Sequence, residues 1–386
     1  MRLATPKIAI IADDLTGACD SAAQFARPEV RPFVCMGVPT LERVTLASRA
    51  AIAAFDIASR HEAPEEAARR AGEACRLVRL LGFQIVFKKI DSTMRGNVGA
   101  ESIAAAEALE ARGALLCPAF PRQGRVVRGG TLFVRDRPVD EALAADAVAQ
   151  PPPDPDLRAA LSRALGAEVG LVTLEAVRRG PDTVSDALGE FEAEGVRLCA
   201  ADAETDGDLR TLADVLLAPE TNWLPAGSAG LARAIAIRLL GDEQPLTVTL
   251  SRPGTIMVVS GSLADLTRRQ IAAAVKAGEV SRVAMAARTT RAGVEFLGER
   301  EVPIAALVII GGETARRLLS DLGVWSAWVL GEMLPGVPVL SVAEGPYSGM
   351  TIVTKGGNMG DDETLVECLR RLRELATGGS TGASED

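Results

Sequence analysis

KIAIIADDLTGA, residues 7–18, is the stretch that decides the fold. Residues 8–12 are apolar and rich in isoleucine, which predicts a buried strand, and two aspartates stand where that strand ends. Thr16 follows at a position suited to capping a helix. A buried strand that runs straight into a helix begins a strand–helix–strand unit, so this stretch predicts an α/β protein.

The same alternation of short apolar runs and longer Ala/Leu/Arg-rich segments continues along the chain. It is typical of strands joined by crossover helices in a mainly parallel sheet. The predicted strands are 7–12, 33–37, 51–57, 83–90, 114–118, 168–174, 197–201 and 222–226, then 255–260, 282–286, 306–310, 338–342 and 350–354. Helices are predicted at 64–81, 99–112 and 228–240.

The chain is long enough for two domains, because its 386 residues exceed twice a typical domain of ~150 residues. Segment 241–254 holds two prolines, two glycines and mixed charge, and we interpret it as the boundary. Residues 1–242 then form one α/β domain and residues 253–376 a second, smaller one. The small, polar residues 377–386 are predicted to be a flexible tail.

Charge and cysteine content exclude several classes of partner. The chain has 42 Lys+Arg against 51 Asp+Glu, a net charge of -9, whereas a surface that binds duplex nucleic acid needs a basic excess. The six cysteines form no C-x-x-C pair and His61 is the only histidine, so a Cys/His zinc site is not expected. No membrane-spanning run and no signal-peptide pattern is visible. We therefore expect a cytoplasmic protein with reduced thiols.

Two clusters of ionisable residues follow predicted strands in the first domain. Asp13 and Asp14 come directly after the first strand, and FKKIDSTMRGN at 87–97 brings cations, hydroxyls and a carboxylate to the end of another. Ligands of open parallel sheets bind at the carboxyl ends of strands. A carboxylate there can bind or deprotonate a hydroxyl, and Arg95 can hold a carboxylate in a bidentate fork. The clusters predict a site for an anionic, polyhydroxylated ligand.

Other interpretations of these charged segments stay open. The aspartates could serve only as helix caps, and residues 87–97 could be a solvated charge run. The pair Ser59-Arg60 and the segment PAFPRQGR at 118–125 also follow predicted strands, and each taken alone is typical of a surface loop.

Three glycine-rich turns follow strands of the second domain: SGS at 260–262, GGET at 311–314 and KGGNMG at 355–360. Such turns let backbone N–H groups hold phosphates at helix N-termini. None matches a Walker P-loop, and no G-x-G-x-x-G follows the first strand. The alternative is that these glycines only form tight turns and helix caps.

Together these segments resemble the four-carbon acid sugar kinase family. The resemblance rests on ADDLTGACD, SR at 59–60, FKKIDSTMRGN, CPAFPRQGR, GSAGLA at 227–232, SGS, GGET and KGGNMG, which occur in the family's order across nearly the whole chain. It implies ATP-dependent phosphorylation of the terminal hydroxyl of a four-carbon sugar acid, such as threonate, erythronate or an oxo form, to the 4-phosphate. It also implies that residues 1–242 bind the acid and residues 253–376 bind ATP.

The resemblance implies roles for the matched residues. Those expected to bind the substrate are Asp13, Asp14, Arg60, Lys89, Ile90, Asp91, Ser92 and Arg95. Those expected to bind the nucleotide are Ser260, Ser262, Gly311, Gly312, Glu313, Thr314, Gly356, Gly357 and Asn358. Asp13 or Asp14 is expected to orient or deprotonate the hydroxyl, while Mg²⁺ and the glycine turns hold the phosphates. No metal ligand is assigned.

The sequence departs from the family's pattern in the second domain. Glu313 stands where the family's GGDT has Asp, and Gly356 and Met359 replace the Ser and Phe of KSGNFG. Thr131 stands where the family often has His, and segment 262–311 is short. Two other hypotheses therefore stay open: a catalytically weakened relative that binds a sugar acid or nucleotide, and a kinase for another small hydroxy acid. A homodimer is also left open.

Overall fold

The computed structural model describes residues 6–37, 41–144, 153–242, 250, 254–280, 284–285 and 304–376. The predicted tail at 377–386 and most of the predicted boundary at 241–254 lie outside these residues. Within the described ranges no helix is long and apolar enough to cross a membrane.

The strands follow the apolar runs of the sequence. In chain order they are β1 (Ile8–Ala12), β2 (Phe33–Cys35), β3 (Ile52–Asp56), β4 (Ile85–Lys89), β5 (Gly113–Cys117), β6 (Arg125–Arg128), β7 (Thr131–Val134), β8 (Arg137–Pro138), β9 (Gly170–Val172), β10 (Leu198–Ala201), β11 (Trp223–Gly227), β12 (Thr255–Ser260), β13 (Ala284–Met285), β14 (Ile304–Ile310), β15 (Ser326–Leu334), β16 (Val337–Val342) and β17 (Thr351–Lys355). Every predicted strand is present, with its ends within two residues of the prediction.

Helices fill the connections between strands. They are α1 (Leu15–Gln24), α2 (Leu41–Ala47), α3 (Pro64–Leu80), α4 (Val98–Ala108), α5 (Val139–Ala142), α6 (Leu157–Leu165), α7 (Leu174–Arg179), α8 (Pro181–Ala193), α9 (Asp206–Leu216), α10 (Ala229–Leu240), α11 (Asp265–Lys276), α12 (Gly312–Asp321) and α13 (Thr364–Ala376). Their starts obey local chemistry: Pro64 and two glutamates open α3, and the Asp14 carboxylate caps α1 by accepting the Gly17 N–H at 2.8 Å.

Fourteen of the described strands form one sheet, in the order β13-β12-β14-β17-β16-β15-β2-β3-β1-β4-β11-β5-β10-β9. The eight strands from β2 to β9 are parallel, as are β13, β12, β14 and β17. The central strand β1 is buried at every residue, because helices cover both faces of the sheet. The mainly parallel α/β prediction is confirmed.

An antiparallel seam joins the two halves of the sheet. Strand β15 pairs with β16 on one side and with β2 on the other, where Trp328 lies opposite Phe33. Strand β15 is absent from the predicted strands, because its buried positions alternate with exposed and half-buried ones and it contains Gly331 and Glu332. Apolar side chains of α11 and α13 form a second core against β14 and β17.

A separate sheet of three strands, β6-β7-β8, was also missed. Its first turn uses Gly129 and Gly130, both at positive φ (59° and 74°), as a tight two-residue hairpin requires. The Asp202 carboxylate accepts both of their N–H groups, at 2.9 and 2.8 Å. This small sheet lies at the rim of the site described next.

Candidate functional site

A cavity of about 680 Å³ lies at the carboxyl ends of the strands, with walls from both halves of the sheet. We call the residues after β1, β3 and β4 its N-terminal wall, and those after β12, β14 and β17 its C-terminal wall. The predicted site residues that line it are Asp13, Asp14, Arg60, Lys89, Asp91, Ser92, Arg95, Ser262, Gly311, Gly312, Glu313, Thr314, Gly356, Gly357 and Asn358. Two groups of residues that are distant in sequence thus face one common space.

Two predicted residues, Ile90 and Ser260, do not line the cavity. Ile90 is buried, its N–H donates to the Gly227 carbonyl at 2.9 Å, and its own carbonyl accepts from the Lys89 amine at 2.6 Å. Ser260 is the fully buried last residue of β12. Each lies behind the wall, so neighbouring residues reach the cavity instead.

Arg60 ties together the two aspartates that follow β1. Its Nε and Nη2 donate to the Asp13 carboxylate at 2.7 and 2.9 Å, and its Nη1 donates to Asp14 Oδ2 at 2.6 Å. The loop after β3 positions it, since the N–H groups of Ser59 and Arg60 both donate to the Asp13 carbonyl. A guanidinium that forks onto carboxylates fixes their orientation as well as their charge.

Asp13 and Arg60 both stay charged although they are buried. Burial alone would raise the pKa of Asp13, but the charge and hydrogen bonds of Arg60, with the charges of Lys88 and Lys89, hold that pKa below its ordinary value. The reciprocal effect of the aspartates raises the pKa of Arg60, against the opposing effect of its burial. Asp13 is therefore an ionised carboxylate held in one orientation.

Asp91 is the second anchored carboxylate. Arg95 donates to it through Nε at 3.1 Å and Nη2 at 2.7 Å, and the Thr93 N–H donates to Oδ1 at 2.9 Å. Met94 takes a φ of 64° in this turn, a value that is uncommon outside glycine. Burial opposes ionisation, yet the charges of Arg95 and Arg60 hold the pKa of Asp91 well below its usual range.

The two lysines of β4 point to opposite faces of the sheet, as alternation along a strand requires. The Lys88 amine pairs with Glu101 at 2.8 Å, and both side chains are buried. Lys89 faces the cavity, where its Nζ would lie 3.1 Å from a Cβ added to Gly17. Lys88 thus fixes α4 to the sheet, and Lys89 supplies positive charge to the site.

The C-terminal wall is built from backbone turns. Gly311, at a φ of 108°, follows β14 and caps α12. A Cβ on Gly312 would lie 2.8 Å from Asp14 Oδ2 and 2.9 Å from Thr16 Oγ1, so the chain approaches the N-terminal wall closely here. The start of α12 therefore lies against Asp14, and the N-terminus of a helix is a binding site for phosphate groups.

Glu313 lines the cavity, but its carboxylate turns back along α12. Its Oε1 accepts from Arg316 Nη2 at 3.2 Å and from Arg317 Nε at 2.6 Å. Partial burial opposes ionisation, and these two arginines nevertheless lower the pKa of Glu313. The extra methylene of Glu313 thus directs its charge toward its own helix.

The last glycine loop, residues 355–360, is held from both halves of the chain. Buried Lys355 donates to the carbonyls of Gly356 at 2.8 Å and Met359 at 3.0 Å, and burial lowers its pKa to about 7. From the other half, Arg125 Nη2 donates to the Asn358 carbonyl at 2.7 Å, and Gln123 Oε1 accepts the Gly360 N–H at 3.0 Å.

Sequence reasoning missed two acidic residues of the cavity, Asp20 and Asp56. Burial raises the pKa of each to about 7. Asp20 Oδ1 and Asp56 Oδ2 are buried and have no hydrogen-bond partner in the described part of the chain. Asp56 ends β3, so the strand-end rule could have found it. Asp20 lies inside α1, where the sequence does not reveal which face it takes.

The donor set limits how a metal could be held. Among the residues that the structure describes, no group of three or more His, Cys, Asp or Glu side chains could hold a metal ion. The carboxylates at the cavity are instead paired with arginines or stand singly.

Family models match both parts of the chain. A model described as a sugar-binding N-terminal domain matches residues 8–235, and one described as a nucleotide-binding C-terminal domain matches residues 280–365. The first covers more than half of the chain, including the whole N-terminal wall of the cavity.

Curated relatives align over nearly the full length. A D-threonate kinase of Cupriavidus necator is 31% identical over 95% of this chain and 98% of its own. A 3-oxo-tetronate kinase of Pseudomonas savastanoi pv. phaseolicola is 29% identical over 97% of this chain and 99% of its own.

Solved structures share the fold. A Haemophilus influenzae protein with a domain of unknown function has a TM-score of 0.70 at 22% identity, covering 94% of this chain and 100% of that one. A Bordetella bronchiseptica structure, described as a domain-swapped dimer with bound citrate, has a TM-score of 0.51 at 26% identity, covering 96% and 100%.

Proposed function

The chain belongs to the four-carbon acid sugar kinase family, and from that premise we propose which residues carry out its reaction, the transfer of a phosphoryl group from ATP to a four-carbon sugar acid. The names of the relatives support threonate and 3-oxo-tetronate as the class of acceptor. The acceptor atom is the terminal hydroxyl, and the product is the 4-phosphate.

The sugar acid binds at the N-terminal wall. Arg95 is 45% exposed at its side chain and lines the cavity, and Lys89 adds a second positive charge. These cations suit the carboxylate of the acid, while the anchored carboxylates of Asp13 and Asp91 accept hydrogen bonds from its hydroxyls. A site whose polar groups are already oriented loses little entropy when the ligand binds.

Asp14 or Asp13 orients the accepting hydroxyl and receives its proton. Asp14 is the better placed of the two, because its Oδ2 contacts Arg60 on one side and lies against the start of α12 on the other. The lowered pKa of Asp13 does not disqualify it, since a loose phosphoryl-transfer transition state depends more on orientation than on a strong base.

The nucleotide binds at the C-terminal wall, with its phosphates at the start of α12 and along the three glycine turns. These turns present backbone N–H groups, and the Glu313 carboxylate is directed onto Arg316 and Arg317, which suits a polyanion.

The residues also fit magnesium bound to that nucleotide. Mg²⁺ usually keeps several waters and is held by one or two carboxylates plus substrate phosphates, so a preformed cluster is not required. Asp56, with its unpartnered buried oxygen, and the adjacent Asp14 would hold it. Bound there, the ion would neutralise charge on the phosphates.

The observation that carries this proposal is the meeting of the two walls at Gly312 and Asp14. It is tested by incubating the protein with Mg²⁺-ATP and D- or L-threonate, D- or L-erythronate, their 2- and 3-oxo forms or glycerate, while ADP release is followed. We expect turnover with a four-carbon acid and its loss in the Asp13→Asn/Asp14→Asn double variant. Turnover that survived in the double variant would reject the assignment of the base.

Other outcomes of the panel separate the remaining hypotheses. Turnover of glycerate alone would indicate a kinase for a different hydroxy acid. If no acid of the panel caused ADP release while ligands still raised the melting temperature, the protein would be a binding protein that has lost catalysis.

We also propose a homodimer in the cytoplasm. The dimer is supported only by the description of the Bordetella structure, and the compartment by six cysteines that are all free thiols. Light scattering of the purified protein tests the dimer, and a mass equal to that of one subunit would reject it.

A further inference from the structure

Arg125 is a buried cation at the point where the two walls meet. It opens β6, its side chain lines the cavity, and it is 3% exposed. Its guanidinium reaches the C-terminal wall, where Nη2 donates to the Asn358 carbonyl at 2.7 Å. It therefore stands between the proposed acid site and the proposed nucleotide site.

The partners of Arg125 are all neutral. Nη1 donates to the backbone carbonyl and to the side-chain Oε1 of Gln123, and Nη2 donates to Asn358. Its Nε is buried and has no hydrogen-bond partner within the described ranges. No carboxylate lies within ion-pair distance of it among these residues.

The other arginines that line the cavity differ in this respect. Arg60 and Arg95 are paired with the aspartates of the N-terminal wall, Arg268 is paired with Asp265, and Arg316 with Glu313. Among the described arginines that line the cavity, Arg125 is thus the one that contacts no carboxylate.

An unmatched buried charge is costly unless something else compensates it. Burial lowers the pKa of Arg125 to about 10, against the more distant charges of Asp91 and Asp20, so it is still a cation at neutral pH. A guanidinium at the cavity wall whose Nε has no partner among the described residues suits a planar array of anionic oxygens.

We propose that Arg125 binds the transferring phosphoryl group and stabilises its charge between donor and acceptor. This inference rests on the proposed function. In the step it serves, the bond from the acceptor oxygen to the γ-phosphorus forms while the bond from that phosphorus to the β-γ bridging oxygen breaks. The bonding electron pair leaves with ADP, and the hydroxyl proton passes to Asp14 or Asp13. An arginine so placed contributes most in the transition state.

Calorimetry can test this without catalysis. In the presence of Mg²⁺, wild type, Arg125→Gln and Arg125→Lys are titrated with ADP and with AMP-PNP, which carries a third phosphoryl group. Arg125→Gln is expected to weaken AMP-PNP binding by about tenfold, with ADP binding within about twofold, because only AMP-PNP places a group at Arg125. Arg125→Lys keeps the charge without the fork and should fall between the two. Arg128→Gln is the matched control, because Arg128 lies on the same strand but is exposed and pairs with Glu204.

Kinetics provide the second measurement. For Arg125→Gln, kcat should fall on the order of 10³-fold while KM for the sugar acid changes less than about threefold. Weaker binding of the sugar acid, with kcat and both nucleotide affinities unchanged, would show that Arg125 holds the acid's carboxylate. That result would overturn the proposal. Unchanged values throughout, or equal weakening of ADP and AMP-PNP, would also overturn it.

The failure of the proposed function looks different. A wild-type protein that binds AMP-PNP but phosphorylates no acid would reject the proposed reaction, while the comparison of AMP-PNP with ADP would still decide whether Arg125 meets the third phosphoryl group. If wild type bound neither nucleotide, both proposals would fall together.

Discussion

The two walls of the cavity are built from different chemical groups, charged side chains in one and backbone turns in the other. The N-terminal wall consists of ionised side chains that hold one another, with Arg60 bonded to two aspartates and Arg95 to a third. The C-terminal wall consists of glycine turns and the start of α12, where a Cβ on Gly312 would already lie too close to Asp14. A sugar acid differs from its relatives in hydroxyl positions, and side chains can distinguish these. A polyphosphate needs many donors in little space, and backbone N–H groups provide them.

The two walls should therefore fail under different kinds of substitution. Removal of a side chain should damage the N-terminal wall, because it leaves buried charges without partners. Addition of a single methyl group should damage the C-terminal wall, because neighbouring side chains pack directly against its glycines and leave no room. Four substitutions test this contrast.

Arg60→Ala should have the largest effect. It leaves the buried Asp13 and the half-buried Asp14 without their cation, and breaking a buried pair costs about 3–5 kcal/mol of unfolding free energy. Urea denaturation measures the loss, and sugar-acid turnover should vanish with it. Arg69→Ala is the control, since Arg69 also contacts two carboxylates but on the surface of α3, and it should cost less than about 1 kcal/mol. Equal losses in the two variants would mean that the N-terminal wall is not held by its charges.

Gly312→Ala should come next. Its new Cβ would lie 2.8 Å from Asp14 Oδ2, and accommodating it should cost about 1–3 kcal/mol and weaken ADP binding by about tenfold. The control is Gly189→Ala in the middle of α8, where a Cβ meets nothing within 4 Å. That change should stabilise the protein by about 0.5–1 kcal/mol. Calorimetric titration with ADP provides the measurement. If Gly312→Ala still bound ADP tightly, the close approach of the two walls would be contradicted.

Asp56→Asn probes an exception beside the N-terminal wall, a carboxylate that contacts no cation among the residues that the structure describes. Its folded pKa of about 7 lies above the ordinary value, so its contribution to stability is full below about pH 4 and is lost as the pH rises through 7. The slope for one such group is at most about 1.4 kcal/mol per pH unit. Urea midpoints at pH 5 and pH 8 should therefore differ less in Asp56→Asn than in wild type. The nearby Asp13 and Arg316 keep their charges over this range, and an unchanged difference would reject the raised pKa.

Glu313→Asp should have the smallest effect. Because Glu313 turns its carboxylate onto Arg316 and Arg317, shortening it should change kcat and KM for ATP by less than about threefold. Steady-state kinetics with varied ATP provide the measurement. A change of a hundredfold would place this carboxylate in the reaction itself.

The same contrast explains what the sequence could predict. Buried parallel strands are continuous apolar runs, so their positions were predictable, and the strand-end rule then located Asp13, Asp14 and Asp91. Strand β15 was not predictable in this way, since half of its residues face outward or are partly exposed. The hairpin β6-β7 begins with Arg125, and the sequence alone predicts an ordinary surface loop at this residue.

Orientation was the harder part of the site. The sequence placed Lys88 and Lys89 together, and only the pleat of β4 separates the one that binds Glu101 from the one that faces the cavity. In the same way, Asp20 is one of many helical residues until α1 is docked. Which residues a site contains follows from chain topology, but which of them face inward depends on packing between distant elements.

The antiparallel seam between β2 and β15 has a consequence for biosynthesis. Strand β2 is made early, but its partner lies at Trp328 and the residues before it, so the β2 edge has no partner until most of the chain has left the ribosome. That edge carries Phe33, Val34 and Cys35, an apolar row with unpaired backbone groups, which is the kind of edge that aggregates. The growing chain thus has a period of vulnerability at this edge, and a chaperone that shields it would act before β15 is made.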